Sequence, residues 1–163
     1  MNINRRILLI DDNRAIHEDF RKILAPSGRD SAGLTDMEDE LFGETTRPVQ
    51  TESFELASAF QGEDGFNIAK KALAQGNPFA LAFVDVRMPP GWDGVETIAR
   101  IWEVAPEMQI VICTAYSDYS WEQITERLGK SDHLLILRKP FDPVEVQQLA
   151  YNLTAKWSKL REA

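Results

Sequence analysis

The stretch Ile7-Leu8-Leu9-Ile10-Asp11-Asp12 decides the fold of this chain. Four consecutive apolar residues indicate a strand that is buried on both faces, as in a parallel sheet. Two carboxylates follow directly, and apolar residues with helical spacing begin at Ile16. The stretch therefore predicts a strand that ends in a charged turn and leads into a helix, which is the repeating unit of an α/β fold.

The same order, a strand followed by a helix, recurs five times along the chain. Apolar runs at 79–84, 109–113 and 134–137 indicate further strands that are buried on both faces. Residues 53–60 alternate in polarity, which indicates a strand nearer the sheet edge. Apolar residues with helical spacing follow each strand, beginning at Ile16, Phe66, Val95, Trp121 and Val144. Alternating units of this kind predict a mostly parallel, doubly wound sheet.

Length and composition favour one soluble domain. The chain has 163 residues, of which 44% are hydrophobic and 27% are charged. Its net charge of -8 repels nucleic-acid phosphates, so we expect no direct binding of nucleic acid. The sequence has no 18-residue apolar run and no recognisable signal sequence. Its single cysteine, Cys113, lies in an apolar strand, where we expect it to be buried. These features predict a cytoplasmic protein without a membrane span.

Residues 27–52 do not fit the regular alternation. They separate the first helix from the second strand, and they carry two arginines and seven acidic residues. A short turn would suffice at this place, so we interpret the segment as a solvated, mobile insertion. The alternative is that its apolar residues, Leu34, Met37, Leu41 and Phe42, dock on a partner or on the domain itself.

Polar residues of several kinds end the four apolar strands. They are Asp11 and Asp12, then Asp85, Thr114 and Lys139. Because the carboxyl ends of parallel strands form one edge, we expect these side chains to share a pocket. Clustered carboxylates raise one another's pKa, and a bound Mg²⁺ removes that conflict. One carboxylate can then accept a phosphoryl group, whose oxygens an ammonium and a hydroxyl can bind.

At these residues the chain resembles the receiver domain of two-component response regulators. The matching pieces are Ile7–Asn13, Phe83–Pro89, Asp93-Gly94, Ile112–Ala115 and Arg138–Phe141. Each piece is common by itself, whereas the ordered set is specific, and it covers nearly the whole chain except 27–52 and the last few residues. The resemblance implies a single receiver domain over 1–163 with a flavodoxin-like (βα)5 fold, whose five parallel strands have the order 2-1-3-4-5.

The resemblance also implies a role for each residue at the strand ends. Asp85 corresponds to the phosphoacceptor. Asp12 and Asp85 would bind Mg²⁺ directly, together with the backbone carbonyl of Arg87. Asp11 would act mainly through a metal-bound water.

Two further residues correspond to the phosphate-binding part of a receiver. Thr114 would be the switch hydroxyl and Lys139 the phosphate-binding lysine, with a cis bond between Lys139 and Pro140. The implied partners are a histidine kinase or histidine phosphotransfer protein as donor, and an output domain, a partner protein or a second copy as target. Such a protein catalyses only its own phosphorylation and dephosphorylation.

Three departures from the family concern the transmission of the signal. Ile136 stands where the family often has an aromatic switch residue. The loop 89–94 is one residue longer than usual, so Trp92 is expected to reshape the mouth of the pocket. The stretch 117–133 is also longer, and Trp121–Leu137 resembles receivers that precede larger output modules, such as cyclic-dinucleotide enzymes or hybrid kinases. The helical sequence at 157–163 indicates a fragment of a longer protein.

Other functions fit the residues less well. A phosphohydrolase of the haloacid-dehalogenase type needs an Asp two positions after its nucleophile, where this chain has Arg87. A flavodoxin needs a phosphate loop rich in Ser, Thr and Gly after the first strand, where this chain has Asp11 and Asp12. A receiver-like interaction module that is never phosphorylated remains the alternative.

The two histidines do not suggest a metal site. His17 lies on the first predicted helix, where we expect it to be partly exposed, and His133 is expected to start the last strand. Because they are far apart and no cysteine cluster accompanies them, a zinc site is improbable.

Overall fold

The computed structural model describes residues 3–25, 53–115, 120–129 and 131–162. The predicted insertion at 27–52 lies outside these residues, as do residue 116 and, in the longer stretch 117–133, residues 117–119 and 130.

The described residues form one parallel sheet of five strands. The strands are β1 (Arg6–Ile10), β2 (Glu55–Ala59), β3 (Leu81–Asp85), β4 (Gln109–Thr114) and β5 (Leu134–Arg138). Their order in the sheet is β2-β1-β3-β4-β5, and all four pairings are parallel. The predicted fold class and strand order are therefore confirmed.

A helix follows each strand. The helices are α1 (Arg14–Leu24), α2 (Gly62–Ala74), α3 (Gly94–Val104), α4 (Trp121–Leu128) and α5 (Pro143–Glu162). Asn13 caps α1, since its side chain accepts a hydrogen bond from the amide of Ala15. Among the described residues, no helix is both long enough and apolar enough to cross a membrane.

Successive side chains on the strands enter two cores, one on each face of the sheet. Leu8 and Ile10 of β1 pack into the core that also contains Ile98 of α3. Leu9 of the same strand packs into the core on the other face, with Phe20 of α1. Burial of both faces explains why β1, β3 and β4 have nearly continuous apolar sequences.

The prediction that β5 is buried on both faces is wrong. Leu134 and Leu137 are buried, whereas Leu135 is 41% exposed and Ile136 is partly buried. β5 is an edge strand with β4 on one side only, so its side chains are buried only where a helix covers them. Val144, which was expected on the apolar face of α5, is 55% exposed.

Hydrogen bonds between neutral groups help to hold the amino end of the sheet, beside the ion pair of Arg6 and Glu55, whose Nε and Oε2 atoms lie 2.8 Å apart. The backbone amide of Asn4 donates to the hydroxyl of Ser158 at 2.9 Å, and its side chain donates to the carbonyl of Pro78 at 2.9 Å. Gln109, at the start of β4, is fully buried, and Nε2 of its side chain lies 2.6 Å from Nδ1 of His133. These bonds join the chain entering β1 to α5, and β4 to the residue before β5.

Candidate functional site

Three carboxylates meet at the carboxyl edge of the sheet. Asp11 lies one residue beyond β1, Asp12 follows it, and Asp85 is the last residue of β3. One carboxylate oxygen from each residue lies within 4.8 Å of the other two. Asp11 and Asp85 are buried, whereas Asp12 is exposed. The cluster therefore has buried carboxylates at its base and one at its solvent side.

Lys139 is the residue that follows β5, and its side chain extends into this cluster. Its Nζ lies 3.0 Å from Oδ1 of Asp85 and 3.3 Å from Oδ2 of Asp11. Its backbone amide donates to the carbonyl of Thr114 at 2.8 Å, which fixes Lys139 beside the end of β4. The bond between Lys139 and Pro140 is cis, as predicted.

Thr114 is the last residue of β4, and its side chain is buried. Asp85 pairs in register with Cys113, so Thr114 lies one residue further along the neighbouring strand. Cys113 is buried as predicted, and burial raises the pKa of its thiol above the ordinary value. The structure thus brings the five predicted side chains, on four neighbouring strands, to one edge.

The loop after β3 is folded closely onto the end of that strand. The amide of Val86 donates to the carbonyl of Cys113 at 3.1 Å, and the amide of Gly94 donates to the carbonyl of Val86 at 2.9 Å. A Cβ atom at Gly94 would lie 2.3 Å from the carbonyl oxygen of Asp85, which is too close for any other residue. Arg87, whose carbonyl was predicted as a metal ligand, is an exposed residue of this loop.

The site carries more negative than positive charge. Burial, and then the nearby Asp11 carboxylate, raise the pKa of Asp85 to about 6, although Lys139 opposes this shift. Burial alone would lower the pKa of Lys139, but the Asp11 and Asp85 carboxylates outweigh it, and this pKa lies above its ordinary value. Three carboxylates close to one ammonium leave a net negative site, and a hard divalent cation with a preference for oxygen ligands suits that donor set.

One residue near the site, His17, differs from what its sequence context suggested. His17 is 2% exposed, so the prediction of a partly exposed histidine is wrong. It lies on the same helix face as Phe20 and Leu24, three and seven residues on, and this spacing was a signal for its burial. The ring of Trp92 contacts that of Phe66 in α2, and the two centroids are 5.9 Å apart. The guanidinium carbon of Arg100 lies over the Trp92 ring, 5.4 Å from its centroid.

Comparison with known proteins identifies the family. A family model described as the response regulator receiver domain matches residues 42–151. The chain belongs to the response regulator receiver family. The matched range begins after β1, yet β1 lies between β2 and β3 in the sheet and supplies the turn with Asp11 and Asp12.

Two curated proteins are similar to this chain over different lengths. The photosynthetic apparatus regulatory protein RegA of Cereibacter sphaeroides is 28% identical over 113 residues, which are 69% of this chain and 56% of RegA. The alginate biosynthesis transcriptional regulatory protein AlgB of Pseudomonas aeruginosa is 30% identical over 166 aligned positions, covering 96% of this chain and 29% of AlgB. The chain therefore spans about half of RegA and less than a third of AlgB.

A solved receiver structure has the same fold. The receiver domain of AraT from Geobacillus stearothermophilus superposes with a TM-score of 0.67 at 21% identity, and the match covers 98% of this chain and 99% of that one.

Proposed function

We propose that this receiver domain accepts a phosphoryl group on Asp85 in a reaction that requires Mg²⁺. The observation that carries the proposal is the cluster of Asp11, Asp12 and Asp85, with one oxygen of each within 4.8 Å of the others and Lys139 in hydrogen-bonding distance of two of them. Asp12, Asp85 and the backbone carbonyl of Arg87 would hold the cation directly, and Asp11 would hold it through water.

Each residue has a defined task in the transfer. An Oδ atom of Asp85 forms a bond to phosphorus while the bond from phosphorus to the donor's imidazole nitrogen breaks, and that nitrogen keeps the electron pair and takes up a proton from solvent. When bound, Mg²⁺ neutralises charge on the phosphoryl oxygens. Lys139 binds one phosphoryl oxygen through its ammonium, and the Thr114 hydroxyl donates to another.

We further propose that the phosphoryl donor is a phosphohistidine on a kinase or phosphotransfer protein. The modification then shifts an equilibrium between two conformations and alters a contact with an output domain or partner protein. RegA and AlgB are both named as regulatory proteins, and both extend beyond the matched region, which supports a separate output. We regard 1–163 as one receiver domain in which 27–52 is an acidic insertion.

The test is the intact mass of the protein after incubation with acetyl phosphate. We expect a gain of one phosphoryl group with Mg²⁺, and no gain with EDTA or in Asp85→Asn. Asp132→Asn is the matched control, because Asp132 is an exposed carboxylate outside the cluster, and we expect it to behave as wild type. If neither acetyl phosphate nor a phosphorylated histidine kinase modifies the wild type, the chain acts as an interaction module that is not phosphorylated.

A further inference from the structure

A buried histidine holds the backbone of the carboxylate turn. Nε2 of His17 lies 2.7 Å from the carbonyl oxygen of Asp11, and Nδ1 lies 2.9 Å from the hydroxyl oxygen of Ser58. The ring of Phe60 covers the imidazole, with centroids 4.5 Å apart. One side chain of α1 is thus bonded both to the end of β1 and to β2.

The partners of His17 fix which nitrogen carries the hydrogen. The Asp11 carbonyl can only accept, so Nε2 donates to it. In the neutral imidazole Nδ1 must then accept, and the Ser58 hydroxyl donates to it. The Ser58 oxygen in turn accepts from the guanidinium of Arg21 at 3.1 Å. The bonds run in one direction, from Arg21 through Ser58 and His17 to Asp11.

The carbonyl that His17 binds belongs to the peptide that joins Asp11 to Asp12. This peptide lies beyond the last pair of the β1–β2 ladder, which joins Ile10 to Ala59. The amide of Asp11 donates to the carbonyl of Ala59 at 3.1 Å, so one side of Asp11 is held by β2 and the other by His17. The side chain of Asp12 is exposed, so the position of its carboxylate depends on the backbone conformation of the turn.

We propose that His17 is a positioning residue that orients the turn of Asp11 and Asp12 for cation binding. The proposal rests on the proposed function, since it assigns His17 to the same site. Groups that orient metal ligands through hydrogen bonds have measurable effects on metal affinity, because an unrestrained ligand must be ordered when the metal binds. His17 would touch neither the cation nor the phosphoryl group and would act only through the Asp11 carbonyl.

Three substitutions separate positioning from simple filling of the core. In His17→Gln the amide nitrogen reaches the position of Nε2 and can still donate to the Asp11 carbonyl. In His17→Asn the amide reaches only the position of Nδ1, next to Ser58. His17→Leu fills the space without either hydrogen bond.

The experiment is a Mg²⁺ titration of wild type and the three variants, followed by the amide NMR signals of the carboxylate turn. We expect wild type and His17→Gln to have similar affinities, while His17→Asn and His17→Leu bind about tenfold more weakly. Thermal unfolding of each variant verifies that it is folded at the titration temperature. If His17→Leu does not fold, the comparison of Gln with Asn still decides the question.

Two results overturn the positioning role while leaving the proposed function intact. One is that the wild type binds Mg²⁺ and His17→Asn binds it equally well. The other is a Gln variant that is weakened as much as the Asn variant, because loss without rescue indicates a structural role only. A wild type whose turn shows no saturable response to Mg²⁺ overturns the proposed function, and the inference with it.

The imidazole nitrogens provide an independent check that needs no cation. We expect the ¹⁵N chemical shifts of His17 to show a protonated Nε2 and an unprotonated Nδ1. The opposite tautomer would remove the donor to the Asp11 carbonyl and contradict the proposal.

Discussion

The two ends of the same sheet are built from different chemistry. At the carboxyl end, Asp11, Asp12 and Asp85 lie close together with one lysine, and the pKa of Asp85 is raised to about 6. At the amino end, the hydrogen bonds of Asn4 and Gln109 join neutral groups, and the charged side chains form oppositely charged pairs such as Arg6 and Glu55. The same strands therefore carry a region that stabilises the fold and a region whose charges oppose it. The contacts at the amino end stabilise the fold, whereas the carboxyl end gathers charges that a bound cation would offset.

The amino end also buries a large aromatic side chain. Trp157 of α5 is buried and lines a cavity with Pro78 and Met108, and the guanidinium of Arg161 lies 5.2 Å from the centroid of its ring. Arg161 also contacts Glu107 at 3.3 Å. Substitutions here should alter the free energy of unfolding without altering Mg²⁺ binding, whereas substitutions at the carboxyl end should alter both.

The largest expected effect is that of Trp157→Ala. Removing this buried ring should lower the free energy of unfolding by about 3–5 kcal/mol, as measured by urea denaturation. Trp157→Phe, which keeps most of the apolar volume, should cost less. The Mg²⁺ affinity of the folded protein should be unchanged, and a large change in it would show that the two ends are not independent.

Gly94→Ala should have the next largest effect, at the carboxyl end. The added Cβ would lie 2.3 Å from the Asp85 carbonyl oxygen, so the backbone must shift, at a cost of about 1–3 kcal/mol. Mg²⁺ affinity and phosphorylation by acetyl phosphate should both fall. The control in the same loop is Gly91→Ala, where the nearest atom to the added Cβ is 3.4 Å away. Equal losses in the two variants would mean that the contact with Asp85 is not the cause.

Asp85→Asn should stabilise the protein without metal, by on the order of 1 kcal/mol at neutral pH. Because the pKa of Asp85 is raised from 3.8 to about 6, the folded protein retains a proton there that the unfolded chain releases. Stability from this group is therefore present below about pH 4 and is lost as the pH rises to about 6. The stability difference between variant and wild type should grow over that range in EDTA, and a difference that does not vary with pH would contradict the charge argument.

The smallest expected effect is that of Arg161→Ala. The ion pair with Glu107 joins two half-exposed side chains, and such pairs contribute about 0–1 kcal/mol. We expect a small loss of stability, seen by urea denaturation at low salt and reduced at high salt, with no change in Mg²⁺ binding. A loss as large as that of Trp157→Ala would show that charge, and not apolar burial, holds the amino end together.

The parallel sheet and the edge at which the carboxylates meet were predictable from the residues, whereas the order of the strands was implied by the resemblance to receivers. Continuous apolar runs indicate strands buried on both faces, and the polar residues that end them must share one edge of a parallel sheet. The exposure of Leu135 was not predictable in this way, because an apolar run does not reveal that β5 lies at the edge and is covered only in part.

The sequence was also insufficient for contacts that depend on distance. Gly94 follows Asp93 in the resemblance to receivers, but only the structure shows that its missing side chain allows the backbone to approach Asp85. The bond from His17 to the Asp11 carbonyl joins residues of neighbouring elements, and a polar residue on a buried helix face was its only signal.

The most direct test of the cation site is to measure the unfolding free energy of wild type and Asp85→Asn at increasing Mg²⁺ concentration and neutral pH. Without Mg²⁺ we expect the variant to be more stable, since it lacks one of the three carboxylates. A ligand that binds only the folded state stabilises it by RT ln(1 + c/Kd) at a free ligand concentration c, so tighter binding gives greater stabilisation at the same concentration. Saturating Mg²⁺ should therefore stabilise the wild type more than the variant and reverse their order. Equal stabilisation of both proteins, or of neither, would contradict the assignment of this edge as a cation site.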